Sequence, residues 1–342
     1  MMVERSTGRV SHLSFGDLPG LIPAGDLLVL NTTRVLRARL LGTRESGAAA
    51  EVLLLRRLGD DRWEAMVHPG ARLKPGRMVH VAEGFDVEIL ETTPRHTRVV
   101  RLCVAREASD AINTAANAAT NAATNTATDM AASSAAVDAA VERYGHVPLP
   151  PYITRADLPA DAERYQTVYS REPGSVAAPT AGLHFTPELL EECARRGVAR
   201  TDVLLHVGAG TFRPVESDDP SGHTMHEEWF RVPAETARSV NGAHARGAHV
   251  WAVGTTSLRA LESVADDAGV LRAAEGETAI FIRPPMRVRS VDRLVTNFHL
   301  PRSTLLMLVA AFAGLDLMRE AYATAVRERY RFYSYGDAMV IV

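Results

Sequence analysis

The hydrophobic and polar positions change character twice along the chain. Between residues 26 and 104, short runs of alternating character follow one another: Asp26–Asn31, Val35–Arg44, Glu51–Arg57, Trp63–Val67, Met78–Ala82, Phe85–Leu90 and Arg98–Val104. In Leu36-Arg37-Ala38-Arg39-Leu40 the apolar side chains alternate with arginine, the period of a half-buried strand. Gly59-Asp60-Asp61, Pro69-Gly70 and Pro75-Gly76 separate the runs as turns. Many short strands at this spacing predict a small barrel or sandwich. Residues 105–145 break the pattern with repeats of Ala, Asn and Thr and almost no bulky apolar side chain. Such a segment cannot bury enough surface to offset its ordering entropy, so a low-complexity, disordered insertion is expected, with a short helix at Ala135–Arg143.

Beyond it, prolines at 148, 150 and 151 set an extended arm ending at Tyr152. From Val176 the pattern becomes strand, polar loop, helix. Thr186-Pro187-Glu188 combines an N-cap, a first-turn proline and an acid at the positive end of the helix dipole. Strands are predicted at Val203–Val207, His249–Val253, Thr278–Ile282, Val291–Phe298 and Met339–Val342. Helices are predicted at Ala234–Arg246, Thr256–Val264, Ser303–Phe312 and Asp316–Arg329. The alternation predicts an α/β fold with a mostly parallel sheet and ligands bound beyond the carboxyl ends of its strands. The expected organisation is an α/β domain from 1–34 and 146–342, and a β-barrel-like domain at 35–104.

Composition narrows the function classes. The 342 residues are 46% hydrophobic and 23% charged, with a net charge of −3. That balance argues against a non-specific nucleic-acid binder, although Arg283, Arg287, Arg289, Arg293 and Arg302 crowd one stretch. No apolar run approaches the roughly 18 residues that a membrane-spanning helix needs. Cys103 and Cys193 form no disulfide framework, and a reducing cytoplasm fits.

Unusual residues fall in the loops at the predicted α/β end: Pro179–Phe185, His206–Phe212, Gly254–Arg259, Thr296–Pro301 and Tyr333–Met339. The turn His206-Val207-Gly208-Ala209-Gly210-Thr211-Phe212 lacks the third glycine of a dinucleotide fingerprint, and Pro214 blocks a helix there. It suits close approach of backbone to a ligand. Gly254-Thr255-Thr256-Ser257-Leu258-Arg259 opens a helix with free N–H groups and hydroxyls, which suits a carboxylate or phosphate; plain N-capping explains the same residues. His226 and Glu227 suit proton transfer, and with His223 they also allow a metal-assisted hydrolase, though no recognised ligand spacing appears. His184 and His299 sit at element ends, and Asp337 in a turn among aromatics; each also has an ordinary structural reading.

Taken together, GDLLVLNTTRV, GHVPLPPYI, ERYQTVYS, GSVAAPTAGLHFTPELL, LHVGAGTFRPV, HTMHEEWF, AVGTTSLRALE, TNFHLPRSTLLMLVAAFAG and YRFYSYGDAM resemble the S-adenosylmethionine:tRNA ribosyltransferase-isomerase family, in family order from about Gly25 to Val342. The resemblance implies a larger α/β domain with a smaller inserted β-barrel. It also implies a cytoplasmic step of queuosine biosynthesis. The ribosyl part of S-adenosylmethionine is transferred to 7-aminomethyl-7-deazaguanine at the tRNA wobble position, and adenine and methionine leave. S-adenosylmethionine is then the co-substrate, tRNA the partner, no metal or membrane is involved, and the chain is expected to act as a monomer.

On that resemblance His184, His226, Glu227, His299 and Asp337 are the catalytic candidates. Thr180, Gly182, His206, Gly208, Gly210, Thr211, Phe212, Gly254, Thr255, Thr256, Ser257 and Arg259 are candidates for holding S-adenosylmethionine. Arg34, Tyr152, Tyr165, Arg283, Arg287, Arg289, Asn297 and Arg302 are candidates for tRNA and the modified base. The chain departs from the family pattern in three ways. A segment resembling LPxELIAxxPxxxRxxSRLLVLDR is expected before Met2-Val3-Glu4-Arg5-Ser6-Thr7-Gly8. Thr32 and Arg37 stand where an acid and a proline are usual. Pro284-Pro285-Met286 replaces Pro-Gly-Tyr. An N-terminally shortened paralogue that binds S-adenosylmethionine or RNA with altered catalysis is therefore the alternative.

Overall fold

The computed structural model describes residues 1–105, 126–208, 210, 219–223 and 225–342. The chain divides into two units, one of residues 1–34, 150–153 and 163–342, the other of 35–149 and 154–162.

The first unit is built on a nine-stranded sheet. Four adjacent strands at its centre run parallel: Ala199–Leu205, Leu27–Asn31, Val250–Val253 and Arg293–Asn297. Glu228–Val232 pairs antiparallel with Ala199–Leu205, and Ala274–Thr278 pairs antiparallel with Glu228–Val232. On the other flank Ala338–Ile341 runs antiparallel to Arg293–Asn297. Met2–Val3 and Val10–Ser11 complete that edge. The sheet is thus mixed, and its parallel character belongs to the centre.

The central strands are apolar on both faces, as parallel strands covered on two sides must be. Leu27, Val29, Val250 and Ala252 face one core cluster, while Leu28, Leu30, Trp251 and Val253 face the other. Helices Ala234–Ala245, Thr255–Glu262, Thr304–Ala313 and Leu315–Arg327 supply Val240, Leu258, Leu261, Val309 and Ala325 to the first cluster. Helix Pro187–Arg195 supplies Cys193 to the second. The one polar atom of Trp251 is satisfied by Asp26, whose Oδ2 accepts from indole Nε1 at 2.8 Å while Oδ1 accepts from His249 N at 2.9 Å. Thr186 and Ser303 cap their helices as side-chain acceptors, each at 3.2 Å.

The second unit is a closed antiparallel barrel of six strands: Arg39–Arg44, Ala49–Arg57, Arg62–His68, Met78–Ala82, Phe85–Thr92 and Arg98–Val104. Its interior holds Leu40, Val52, Leu54, Ala65, Val79, Val87, Ile89 and Val100, the inward set of each period-two run. Closure removes every free edge.

Three elements depart from the sequence expectation. Within the segment expected to be disordered, Thr126–Tyr144 is one α-helix, far longer than the Ala135–Arg143 turn. Val137, Ala140 and Val141, at helical spacing, pack into the barrel core, so alanine's helix propensity is joined by a small apolar stripe. Residues 106–125 of that segment lie outside the described residues. The expected strand Thr278–Ile282 instead ends at Thr278 and starts at Ala274. Its polar sequence, AEGET, belongs to an exposed edge that pairs through backbone alone and leaves no apolar signature. Glu228–Val232 is a strand the pattern analysis passed over, with Glu228, Phe230 and Val232 facing in.

Leu54 is 1% exposed at the centre of the barrel. Leu54→Ala is expected to cost about 2–5 kcal/mol through lost burial and the residual cavity. Urea unfolding followed by the emission of Trp63, which is buried in the same barrel core, measures it; an unchanged midpoint would contradict this packing.

Candidate active site

The parallel strands all point their carboxyl ends to one side of the first unit, and a cleft opens there. Each of the loops singled out by sequence contributes to its wall. Pro179, Thr180 and Ala181 come from one, Val207 from the second, and Gly254, Thr255, Thr256 and Arg259 from the third. Thr296–Leu300 and Tyr333–Ser334 come from the remaining two, with Tyr152 added from the end of the arm and Tyr165 from just after helix Asp161–Arg164. Strand Val250–Val253 leads straight into helix Thr255–Glu262 through Gly254, whose φ of 89° a side chain rarely tolerates. The helix N-terminus therefore faces the cleft without a preceding loop, and no side chain caps it.

Several polar atoms in the cleft wall are buried and have no partner among the described residues: Thr256 Oγ1, Arg259 Nε and Nη2, and Asn297 Oδ1. Buried polar groups are ordinarily paired, because each orphan costs roughly 1–3 kcal/mol. Two kinds of donor and one acceptor thus converge on the same space. The Asn297 amide is oriented by its surroundings: Nδ2 donates to the Tyr333 carbonyl at 3.0 Å and lies 3.3 Å from His184 Nε2. Its oxygen is left for whatever enters.

Arg259 is only 4% exposed and its charge is met by Glu228, at 6% exposure. Glu228 Oε2 accepts from Arg259 Nη1, and Oε1 accepts from Gly208 N at 2.9 Å. One carboxylate therefore joins the arginine to the glycine turn after strand Ala199–Leu205. Arg259 also borders a smaller hollow of about 320 Å³ formed with Gly210, His223, Met225 and His226. A Cβ on Gly210 would lie 2.4 Å from the His226 ring, so glycine there is required by close approach.

The histidine and the two tyrosines of the cleft wall are held neutral. Burial pushes the His299 imidazole down to about 4, and its Nε2 lies 2.8 Å from Thr296 Oγ1. Burial raises the Tyr152 and Tyr165 phenols, so both keep their protons at neutral pH. Tyr152 shares a hydrogen bond with Ser334 Oγ and accepts from Ser334 N at 3.0 Å.

Other sequence candidates lie outside the cleft. His184 stacks on Phe15 at 4.9 Å behind Asn297, and burial lowers its pKa, partly opposed by Asp337. Asp337 lines a separate hollow with His184 and is bound by Arg331, side chain at 2.9 Å and backbone N at 2.7 Å. Burial raises the Asp337 pKa, but those Arg331 contacts outweigh it and hold the carboxylate below its usual range. That hollow is wider, about 950 Å³, but its charged groups are already matched. Gly182 packs against Tyr169, whose hydroxyl a Cβ would meet at 2.1 Å. His206 stacks on Trp229 at 5.5 Å and bonds Thr33 Oγ1 at 2.8 Å; Ser257 Oγ donates to the Val253 carbonyl at 2.8 Å. Glu227 is exposed, and strand alternation turns Glu228 inward instead. Arg283 lies over Phe281, Arg289 pairs with Asp267 at 3.2 Å, and Arg34, Arg287 and Arg302 are exposed. Arg302 sits between the cleft residues Leu300 and Ser303. Thr211 and Phe212 lie outside the described residues. Thr32, where an acid was expected, is buried and bonded to the Val203 carbonyl, not part of the cleft wall. Among the described residues no three His, Cys, Asp or Glu side chains group as metal ligands, so His223, His226 and Glu227 make no such cluster. Glu228 is the residue the sequence reading missed; its signal was the alternation in Glu228-Trp229-Phe230-Arg231-Val232.

This fold and cleft define an α/β enzyme core carrying a β-barrel. A profile described as queuosine biosynthesis protein matches residues 1–341, and the chain belongs to that family. It is 48% identical over 344 residues to S-adenosylmethionine:tRNA ribosyltransferase-isomerase of Symbiobacterium thermophilum, covering 100% of this chain and 92% of the relative. The protein of that name from Rhodospirillum rubrum is 48% identical over 341 residues, covering 100% and 90%. A crystal structure of S-adenosylmethionine tRNA ribosyltransferase from Thermotoga maritima is similar with a TM-score of 0.50 and 34% identity, covering 100% of this chain and 91% of that one.

Removing either partner of the Glu228–Arg259 pair strands a buried charge, so Glu228→Gln and Arg259→Met are each expected to lose about 3–5 kcal/mol. The double variant is expected to lose clearly less than their sum, as a double-mutant cycle in urea shows; simple additivity would refute the pairing. His299 gives a pH signature. Its folded pKa of about 4 lies below the unfolded value of 6.5, so the unfolded state binds the extra proton between them. Stability is full above pH 6.5 and falls as pH drops toward 4, by at most about 3 kcal/mol from this group. Burial shifts His184 and His206 in the same direction. His299→Gln should flatten that acid limb; an identical limb would contradict the assignment.

Proposed function

We propose that this chain transfers the ribosyl moiety of S-adenosylmethionine to 7-aminomethyl-7-deazaguanine at the wobble position of tRNA and isomerises it to the epoxyqueuosine product, releasing adenine and methionine. The reading rests on full-length membership of its family together with one structural observation: the cleft presents unmatched buried donors beside a helix N-terminus. Thr256 Oγ1, the free face of Arg259 and the first N–H groups of helix Thr255–Glu262 suit the carboxylate of the methionine part. Asn297 Oδ1 is the acceptor for an amino group of the same ligand or of adenine.

The chemistry needs a base for a C5′ hydrogen made acidic by the neighbouring sulfonium, an acid for departing adenine, and a neutral attacking amine. His226, beside Arg259, and the neutral His299 are the groups we assign to proton handling. His184 orients Asn297 from behind and acts as a positioning residue. Tyr152 and Tyr165 offer aromatic faces for a splayed base, and Arg302 stands at the rim for a phosphate. A tRNA substrate supports a cytoplasmic location.

The test is free adenine, measured chromatographically, from the purified chain with S-adenosylmethionine and tRNA carrying the deazaguanine precursor. Adenine is expected only when both are present; its absence overturns the reading in favour of a binding paralogue. Thr256→Val keeps the shape but removes the orphan hydroxyl. It is expected to leave stability unchanged or slightly higher and to raise KM for S-adenosylmethionine about tenfold, the worth of a hydrogen bond to a charged group. An unchanged KM would remove Thr256 from the binding assignment.

A further inference from the structure

One aromatic residue of the cleft is held in a backbone conformation that bulky residues avoid. Tyr333 has a φ of 74°, in the left-handed region that favours glycine. Among the described residues His96, Arg302 and Arg329 share that region, and of the four Tyr333 alone lines the cleft. Its peptide is fixed on both sides from the end of strand Arg293–Asn297. Tyr333 N donates to the Phe298 oxygen at 3.0 Å. The Tyr333 carbonyl accepts from Asn297 Nδ2 at 3.0 Å and from Gly336 N at 3.1 Å. Arg331 N donates to Asp337 Oδ2 and Asp337 N to the Arg331 oxygen, both at 2.7 Å, which closes the turn at 331–337. All three bonds of Tyr333 use its backbone, so glycine would make each of them without strain. Strain kept at a bulky residue inside a cleft therefore points to its side chain.

That side chain is a ring held in place by other rings. Tyr152 packs against it at 4.8 Å with a tilt of 38°, and Phe332 meets it near edge-on at 6.2 Å. Tyr152 is itself anchored through its hydroxyl, which accepts from Ser334 N at 3.0 Å. Tyr333 nevertheless stays half-buried at the cleft. Beside it stands a hydrogen-bonding group of one sense. Asn297 is 2% exposed, and its Nδ2 is committed to the Tyr333 carbonyl. The side chain therefore offers Oδ1 alone, an acceptor unpaired among the described residues. A flat ring next to a lone acceptor matches a purine with an amino group on its edge, because the purine stacks and the amine donates. A 6-oxo purine would set a second acceptor against Oδ1 and leave both unpaired.

We propose that Tyr333 and Asn297 form the adenine subsite of the cleft, with the Tyr333 ring as the stacking face and Asn297 Oδ1 as the acceptor for the 6-amino group. This rests on the proposed use of S-adenosylmethionine and fixes the direction in which that ligand lies. Its adenine rests on the turn at 331–337, and its methionine carboxylate lies at Thr256 and Arg259.

The test titrates the full-length chain, without tRNA, against 5′-methylthioadenosine and 5′-methylthioinosine by calorimetry. Both carry the purine but no amino-acid head, so they read this subsite apart from Thr256 and Arg259. The unaltered chain is expected to bind the 6-amino form about tenfold or more tighter than the 6-oxo form. Tyr333→Gly removes ring and strain together, and Tyr333→Leu keeps apolar bulk without a flat face. Each is expected to lose about tenfold or more in affinity for 5′-methylthioadenosine, the worth of one base on an aromatic face. Tyr333→Phe restores the ring and is expected to recover that loss, with urea midpoints confirming that the variants compared are folded. Equal affinities of the unaltered chain for the two nucleosides overturn the subsite, and so does unchanged affinity in Tyr333→Leu. A loss seen only in the KM for precursor-carrying tRNA, with 5′-methylthioadenosine bound as before, gives the ring to the deazaguanine and overturns the adenine assignment. Nucleoside binding as expected, with no adenine released from S-adenosylmethionine and precursor tRNA, sinks the proposed reaction and leaves the subsite standing. If the unaltered chain binds neither S-adenosylmethionine nor either nucleoside, both fall.

Discussion

A guanidinium taken out of water at the carboxyl end of the central sheet has to be compensated, and much of the site's local geometry answers that need. Arg259 enters the interior on the first turns of a helix that starts directly from strand Val250–Val253. Its counter-charge, Glu228, arrives from a strand three places away in the sheet, whose alternation turns that carboxylate inward. The second oxygen of Glu228 holds the backbone of Gly208, so the turn after strand Ala199–Leu205 is drawn to the same point. Such a pair is worth little as net stabilisation, because desolvation offsets most of the attraction. Its consequence is placement: with one guanidinium edge committed to Glu228, the other edge has a fixed direction and no partner among the described residues.

That uncommitted edge costs free energy in the empty protein, as do Thr256 Oγ1 and Asn297 Oδ1. Strain of this kind is tolerated where the surrounding scaffold over-determines the positions. Here several key polar groups of the scaffold are satisfied. Asp26 meets both the Trp251 indole and the His249 backbone, and Thr186 and Ser303 cap their helices. The sheet layers are apolar on both faces. A well-packed frame therefore holds a few unmatched polar atoms in fixed positions, which is how a binding site is prepared before its ligand arrives.

The sequence made the position of the site legible but not its roles. Glycines, threonines and histidines clustered after predicted strands mark loops where backbone must approach a ligand, and all of those loops line one cleft. Barrel strands were legible because a closed small barrel enforces period two on every run. Roles were harder because adjacent residues have opposite fates. Glu227 and Glu228 are chemically identical in the sequence, and only the pairing with Ala199–Leu205 decides which one faces in. Asp337 looked like a catalytic acid, but it is held by Arg331, a contact that closes a turn. Helix Thr126–Tyr144 was obscured by composition: its buried stripe, Ala136, Val137, Ala140 and Val141, is short and small and lies in a run dominated by Ala, Asn and Thr. Strand Ala274–Thr278 was invisible for the opposite reason, being an edge that buries little besides Thr278.

The protonation states in the cleft carry the argument one step further. His299 is neutral, both tyrosines keep their protons, and the only formal charge on the described cleft wall is Arg259, already balanced by Glu228. The cleft is thus close to electrically neutral. On the proposed reading its ligand is a zwitterionic amino acid joined to a sulfonium, with a net positive charge. The carboxylate finds Arg259 and the helix N-terminus, but the described wall places no anion to receive the sulfonium. A cation held in low dielectric without a counter-charge is destabilised, and reactions that remove it gain. Losing a proton from the adjacent carbon neutralises it, and expelling methionine discharges it. The same absence of wall charge leaves the attacking amine in its neutral, nucleophilic form. A cleft that binds the head of the ligand by charge and leaves its reactive centre uncompensated directs binding energy to the steps where the sulfonium disappears.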